Sequence, residues 1–373
     1  MKIKALAAAL LVAACASQTY EPRVATELPF GGAEVPRSGA RMPAEDAVLT
    51  RIQFGSCLKQ EDPAPILGAM IARRPDLTVF LGDNVYGDVR DMDDPLMPEL
   101  VGAYRTLGAR RDFQSLLSVS PVLSTWDDHD YGRNDRGGEF PLKENAEVLF
   151  EEFWNLPQDD VRRARQGVYT SETFGPEGQR VQIILLDTRF FRSALTRTDE
   201  RNAPGKERYI PSDDPDQTML GTVQERWLGE VLEEPADLRI LVTSIQLIAD
   251  GHGWEAWATM PEARDRIYRQ IAAAGTDNLI VISGDRHLGG FYERELAPGM
   301  VLDEMTTSSL NAPQSTWRER DGRTSHEAGP HRLGLPIYEE NFGELTIDWD
   351  VREATMSLRD IRGEEIYTRA KSF

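Results

Sequence analysis

The chain predicts an α/β fold of two mixed sheets packed together with helices outside, on three observations. From residue 51 apolar strand-like runs alternate with helical patterns, and from Phe291 onward short strands follow one another. Four apolar runs also end directly in carboxylates, a histidine or a thiol. Alternating βα units build parallel sheets and successive strands add antiparallel ones, while ligands collect at the carboxyl ends of strands, where loops converge. The chain has 373 residues, 40% hydrophobic and 28% charged, enough for a sizeable core. Its formal net charge of −20 argues against specific nucleic-acid binding and against lying flat on an anionic bilayer.

The amino terminus reads as a targeting segment. Met1-Lys2-Ile3-Lys4 is basic, residues 5–14 are apolar over the length of a signal-peptide core, and Leu11-Val12-Ala13-Ala14-Cys15 resembles a bacterial lipobox. Residues 1–15 are therefore expected to be a lipoprotein signal peptide with its lipidated Cys15. That places the protein on the periplasmic side of a bacterial membrane, the outer membrane foremost. Cleavage near Ala14 or Ala16 in an ordinary secreted protein is the alternative. Residues 16–48, rich in Pro, Gly, Ala and charge, read as a tether, and residues 49–373 as the domain. With Cys15 used or removed, Cys57 has no disulfide partner. It is either a buried structural thiol or a metal ligand.

Along the domain, strand 51–56 precedes a helical pattern at 65–74 and strand 77–81. Helical patterns at 96–107 and 144–154 flank a strand at 121–126. A hairpin over 167–174 and 180–186 turns at Gly175-Pro176-Glu177-Gly178. Helix 222–232 carries Val223, Trp227, Leu228, Val231 and Leu232 at helical spacing. Strand 238–243, helix 261–274 and strand 278–283 follow. An antiparallel series then runs through 291–296, 301–306, 344–349, 353–359 and 364–369. Residues 312–341, with His326 and His331, lack periodicity and read as a flap near the site.

Three strand ends carry the chemistry. In Gly82-Asp83-Asn84-Val85-Tyr86 the glycine permits a sharp turn, so a carboxylate and a phenol can reach one site. Trp126-Asp127-Asp128-His129-Asp130 gathers three carboxylates around one histidine; they repel one another unless cations or solvent intervene. Gly284-Asp285-Arg286-His287 points Asp285 and His287 the same way if extended. Hard oxygens, an imidazole, a phenol and a thiol together suit more than one metal ion. For each motif alone, a simple turn, an exposed acidic loop or a structural histidine is the alternative.

Taken in order, Phe54-Gly55-Ser56-Cys57, Gly82-Asp83-Asn84-Val85-Tyr86, Trp126-Asp127-Asp128-His129-Asp130 with Asn134, Leu186-Asp187-Thr188-Arg189 and Ser283-Gly284-Asp285-Arg286-His287 resemble the PhoD-type alkaline phosphatases. These belong to the metallophosphoesterase superfamily and are related to purple acid phosphatases. The resemblance spans about residues 50–295. It implies a four-layer αββα sandwich and hydrolysis of small-molecule phosphomonoesters or phosphodiesters with Fe³⁺ and Ca²⁺, or Mn²⁺, Zn²⁺, Mg²⁺ or Co²⁺ in their place.

By motif matching, Cys57, Asp83, Tyr86 and His287 would hold the iron. Asp83 would bridge to a calcium-like ion completed by Asp128 and Asp285, with Asn134 nearby and Gln246 as a further ligand. His129 would stand beside the leaving group as proton donor or charge stabiliser. Arg189 would contact phosphate or pair with Asp187. The chain departs from the pattern at Gly87-Asp88, where other members often have a glutamate, and it has no room before Arg51 for the β-sandwich domain that many carry. A non-catalytic calcium-binding envelope lipoprotein would use the same carboxylates without needing Cys57 and Tyr86. A cysteine-nucleophile phosphatase is a poor fit, because Pro63 stands where its arginine belongs.

Overall fold

The computed structural model describes residues 39–316 and 329–373. Cys15, His326 and most of the expected tether lie outside these residues. Two sheets form the centre. The first runs β13 (Glu365–Ser372), β12 (Glu353–Arg359), β11 (Phe342–Asp348), β1 (Arg51–Gly55), β2 (Leu77–Phe80), β3 (Val122–Ser124). The second runs β10 (Arg332–Ile337), β8 (Gly289–Ala297), β9 (Met300–Thr307), β7 (Leu279–Ser283), β6 (Leu238–Thr243), β5 (Val181–Leu185), β4 (Thr170–Phe174). β1, β2 and β3 are mutually parallel, as are β5, β6, β7 and β9. Both sheets are mixed, because antiparallel strands extend their edges.

Strand periodicity explains the layering. In β5, Ile183 and Leu185 join Ile240, Val242, Ile280 and Ile282 in a core that also takes Ile52, Phe54, Val79, Leu345 and Met356 from the first sheet. Ile184, Leu241, Leu279 and Val281 point the other way, onto α6 (Gly221–Leu232) and α7 (Pro261–Ala273). The outer face of the first sheet packs on α1 (Ile66–Ala72), α2 (Pro98–Ala109), α3 (Arg111–Val119) and α5 (Lys143–Phe153), and a single turn, α4 (Asp128–Tyr131), follows β3. Strands buried on both faces read as near-continuous apolar runs, as β7 does and as residues 240–242 of β6 do. The four-layer αββα arrangement holds.

Two expectations are corrected and one helix is added. The stretch 312–341 is not a single flap: β10 within it pairs antiparallel with β8, its register shifted between Leu333 and Ile337. Proline and glycine in Arg-Leu-Gly-Leu-Pro-Ile hid this edge strand. Helix α3 went unread because Arg110 separates it from α2 by a single extended residue. The end of the expected tether lies against the domain, since the Ala40 and Gly175 N–H groups donate to Leu117 and Glu45 carbonyls at 3.2 and 2.8 Å.

Candidate metal centre

The carboxyl ends of β1, β2, β3 and β7 meet at one edge of the sandwich, and close backbone approach brings them together. Gly82 has φ +107°, and a Cβ there would lie 2.5 Å from the Asp127 Cβ. A Cβ on Gly284 would lie 2.7 Å from Ser56 Oγ. Cys57, Asp83, Asp285 and His287 all have φ between 50 and 64°, the left-handed region that disfavours residues with a Cβ. Four candidate ligands held in that conformation mark a backbone bent to converge side chains.

Asp130 braces this convergence. Its buried carboxylate accepts N–H groups from Asp127 at 2.6 Å and from Asp83 and Asn84 at 3.2 Å, together with the Asn84 amide at 2.5 Å. Burial, the largest effect, pushes its carboxyl up to about 8 against these donors. Asp130 is thus a brace between the β2 and β3 loops rather than a candidate ligand.

Within the centre, ligand atoms of Cys57, Asp83 and His287 lie within 4.8 Å of one another, and so do those of Asp127, Asp128 and Asp285. A set of Asp83, Asp128 and His129 links the two groups, and Asp128 also approaches Asp135 and Glu255. The Tyr86 hydroxyl donates to Asp83 Oδ2 at 3.1 Å and lies 3.4 Å from His287 Nε2. His287 Nδ1 donates to the Ala312 carbonyl, a tautomer that turns Nε2 toward Tyr86. Ser308 supports both neighbours, 2.9 Å from Cys57 Sγ and accepting the His287 N–H at 2.8 Å.

The electrostatics ask for cations. Burial pushes the Cys57 thiol up to about 12 and His287 down to about 3. Asp83 and Asp285 are raised well above the carboxylate range, by burial first and neighbouring carboxylates next, with Cys57 acting on Asp83 as well. Asp128 is held low against its burial by His129 and Arg189. Asp127 Oδ2 and Asp128 Oδ1 are buried without a hydrogen-bond donor, each such acceptor costing about 1–3 kcal/mol if left so. Orphaned oxygens beside a thiol, a phenol and an imidazole fit metal ions.

His129 packs against Tyr86 with the rings tilted by 36° and their centroids 4.3 Å apart, and its Nδ1 is 2.6 Å from Asp88 Oδ2. Asp88 Oδ1 accepts the Asn134 N–H at 2.7 Å. Burial works against the imidazolium, yet Asp128, Asp88 and Asp127 raise His129 to about 9. Both residues border an open cleft of about 730 Å³ with Tyr86 and Asn134 in its wall.

Two expected positions differ. Gln246 has both ends of its amide engaged within the protein, Nε2 donating to Thr306 at 3.0 Å and Oε1 3.0 Å from His252. Ser244, two residues earlier, reaches the site and donates to Asp127 Oδ1 at 2.7 Å. Arg189 is fully buried and does not pair with the Asp187 side chain, which instead accepts its backbone N–H at 2.9 Å. Its guanidinium is divided between Asp127 at 2.7 Å and Glu255 at 2.8 Å, which removes it from contact with phosphate. Asp88, Ser308 and Glu255 were not foreseen. The polar run Thr306-Thr307-Ser308-Ser309, which closes β9 and leads out of it, was the signal for one more strand end at the site.

The model of the PhoD-like phosphatases matches residues 54–358. Among curated proteins, alkaline phosphatase D of Bacillus subtilis (strain 168) is 25% identical over 296 residues. The match covers 68% of this chain and 47% of that protein, so the chain spans about half the length of the curated relative it matches. A solved structure of PhoD aligns with TM-score 0.65 and 18% identity over 91% of this chain and 70% of that one. GAP50, the anchor in the inner membrane complex of Plasmodium, aligns with TM-score 0.52 and 14% identity over 87% and 88%. At these identities the structural likenesses bear on the fold.

Replacing Asp130 by Asn places an NH₂ group against N–H donors. Asp130→Asn is expected to lower stability by about 3 kcal/mol or more in urea titration and to weaken metal retention in dialysed protein.

Proposed function

The chain belongs to the PhoD-like phosphatase family, and from that premise we propose that it hydrolyses phosphoric esters at a centre holding more than one metal ion. The observation that carries this reading is the convergence of Cys57, Asp83, Tyr86 and His287 beside Asp127, Asp128 and Asp285, with orphaned buried oxygens among them. The thiol and phenol of the first group suit Fe³⁺, and the carboxylates of the second suit Ca²⁺. Mn²⁺, Zn²⁺, Mg²⁺ or Co²⁺ are the other candidates. Cations bound there would activate water and neutralise the transferring phosphoryl group.

The protein's own groups then have assignable tasks. Asp83, in the first group and within ligand reach of Asp128 in the second, would tie the two groups together. His287 is fixed in the tautomer that leaves Nε2 facing the centre. Asp88 holds His129 by Nδ1, so Nε2 is the atom able to give a proton to the departing alkoxide. Arg189 balances Asp127 from behind instead of touching substrate.

We also propose that the protein is exported and anchored through Cys15 to the periplasmic side of a bacterial membrane. The lipobox-like run ending at Cys15 supports this. No helix among the described residues is long and apolar enough to cross a membrane.

The deciding experiment combines elemental analysis of purified protein with assays on p-nitrophenyl phosphate and bis(p-nitrophenyl) phosphate. Bound metal with no hydrolysis of either ester would leave a metal-binding protein without this activity. His129→Ala is expected to lower kcat ~10²–10⁴-fold on esters of poor leaving groups, less on good ones, with metal content unchanged. Asp83→Ala should lose metal and activity together. If Fe³⁺ is held by Tyr86, the protein has a visible charge-transfer band that weakens or shifts in Tyr86→Phe. A colourless, fully active zinc protein would refute the iron assignment. For the anchor, Cys15→Ser is expected to abolish acyl labelling and release the protein from membranes.

A further inference from the structure

The cleft beside His129 holds more than a phosphate needs. Its volume of about 730 Å³ is that of a site for a ligand of substantial size. It opens from the side on which His129 and Tyr86 pack together, which is where a departing group lies if His129 protonates it. Its lining reverses the charge balance of the chain. The sequence has 62 acidic and 42 basic residues, yet the cleft wall has four arginines, Arg90, Arg133, Arg136 and Arg197, against two carboxylates.

Those carboxylates do not cancel the arginines. Asp88 is committed to His129 and the Asn134 N–H. Glu99 comes only to 3.8 Å of Arg90, whose side chain is 87% exposed. Arg133 is steadied by the Val89 carbonyl at 2.6 Å, and Arg136 lies 3.5 Å from Glu139. The Arg90–Glu99 and Arg136–Glu139 ion pairs are long and open to water, which leaves them weak, and Arg133 and Arg197 have no carboxylate partner among the described residues. Such guanidinium groups favour a ligand with its own anionic group, since their planar forks match carboxylate and phosphate oxygens.

We infer that this cleft receives the leaving-group portion of a phosphoester that carries a second anionic group, held by Arg90, Arg133, Arg136 and Arg197. The inference rests on the phosphoester-hydrolase reading above and deepens it: one end of the substrate meets the metal centre and the other meets the arginines. A second phosphate and a carboxylate share the required chemistry.

The test uses metal-loaded enzyme and whichever chromogenic ester it hydrolyses, inhibited by butylphosphonate, butane-1,4-diyl bisphosphonate or 5-phosphonopentanoate. At least one two-headed inhibitor is expected to bind tighter than butylphosphonate by about tenfold, the worth of one charge-assisted contact. The tighter of the two identifies the preferred second group. The double variant Arg90→Ala/Arg197→Ala, made at two exposed positions, should shrink that ratio several-fold. Equal inhibition by all three compounds, or a ratio untouched by the double variant, overturns the inference and leaves the hydrolase reading intact. Hydrolysis of neither chromogenic ester overturns both.

Discussion

Asp130 accepts backbone N–H groups from Asp83, Asn84 and Asp127 with a carboxylate buried from water, and the geometry of the site depends on that contact. It ties the loop after β2 to the loop after β3. With the two loops tied, Gly82 has to run against Asp127 so closely that no side chain fits. Asp83 is then forced into the left-handed region, where its carboxylate turns toward both Cys57 and Asp128. An unpaired acceptor in so buried a place is costly, so the loops cannot drift apart without exposing it to a larger penalty.

The second constraint is charge. Asp83, Asp127, Asp128 and Asp285 stand close together at one edge of a sandwich whose core is apolar. Among the described residues, Arg189 lies buried behind them between Asp127 and Glu255, with Arg192 also on Glu255. That pairing accounts for Asp127 Oδ1 but leaves Asp127 Oδ2 and Asp128 Oδ1 without donors. A metal centre in front and an arginine behind is the arrangement that leaves no carboxylate uncompensated.

The fold does not by itself set the chemistry. A relative with the same fold is an anchor in an inner membrane complex. The chemistry of this chain sits in its strand ends, where a thiol, a phenol and two histidines join the carboxylates. Beyond them, the Asp88–His129 pair and an arginine-lined cleft border the same edge.

The alternation of strands and helices, the class of two mixed sheets with helices outside, and the strand ends that meet at one edge were legible in the sequence. Apolar runs buried on both faces, such as β7, have no other stable use, and motifs at strand ends converge wherever parallel strands lie side by side. Cys57, Asp83, Tyr86, Asp128, Asp285 and His287 were legible for that reason. Partners far apart in the chain were not. Ser308 reaches Cys57 across 251 positions, and β11 joins β1 instead of continuing the sheet of β9. Short polar side chains and edge strands have no periodic signature that says which neighbour they meet. Arg189 shows the limit at a single residue: its local motif offered Asp187 as a partner, but an aspartate 62 positions away and a glutamate 66 positions away took its charge. Only the packing of β3, β5 and β6 against one another decides which carboxylate a buried guanidinium can reach.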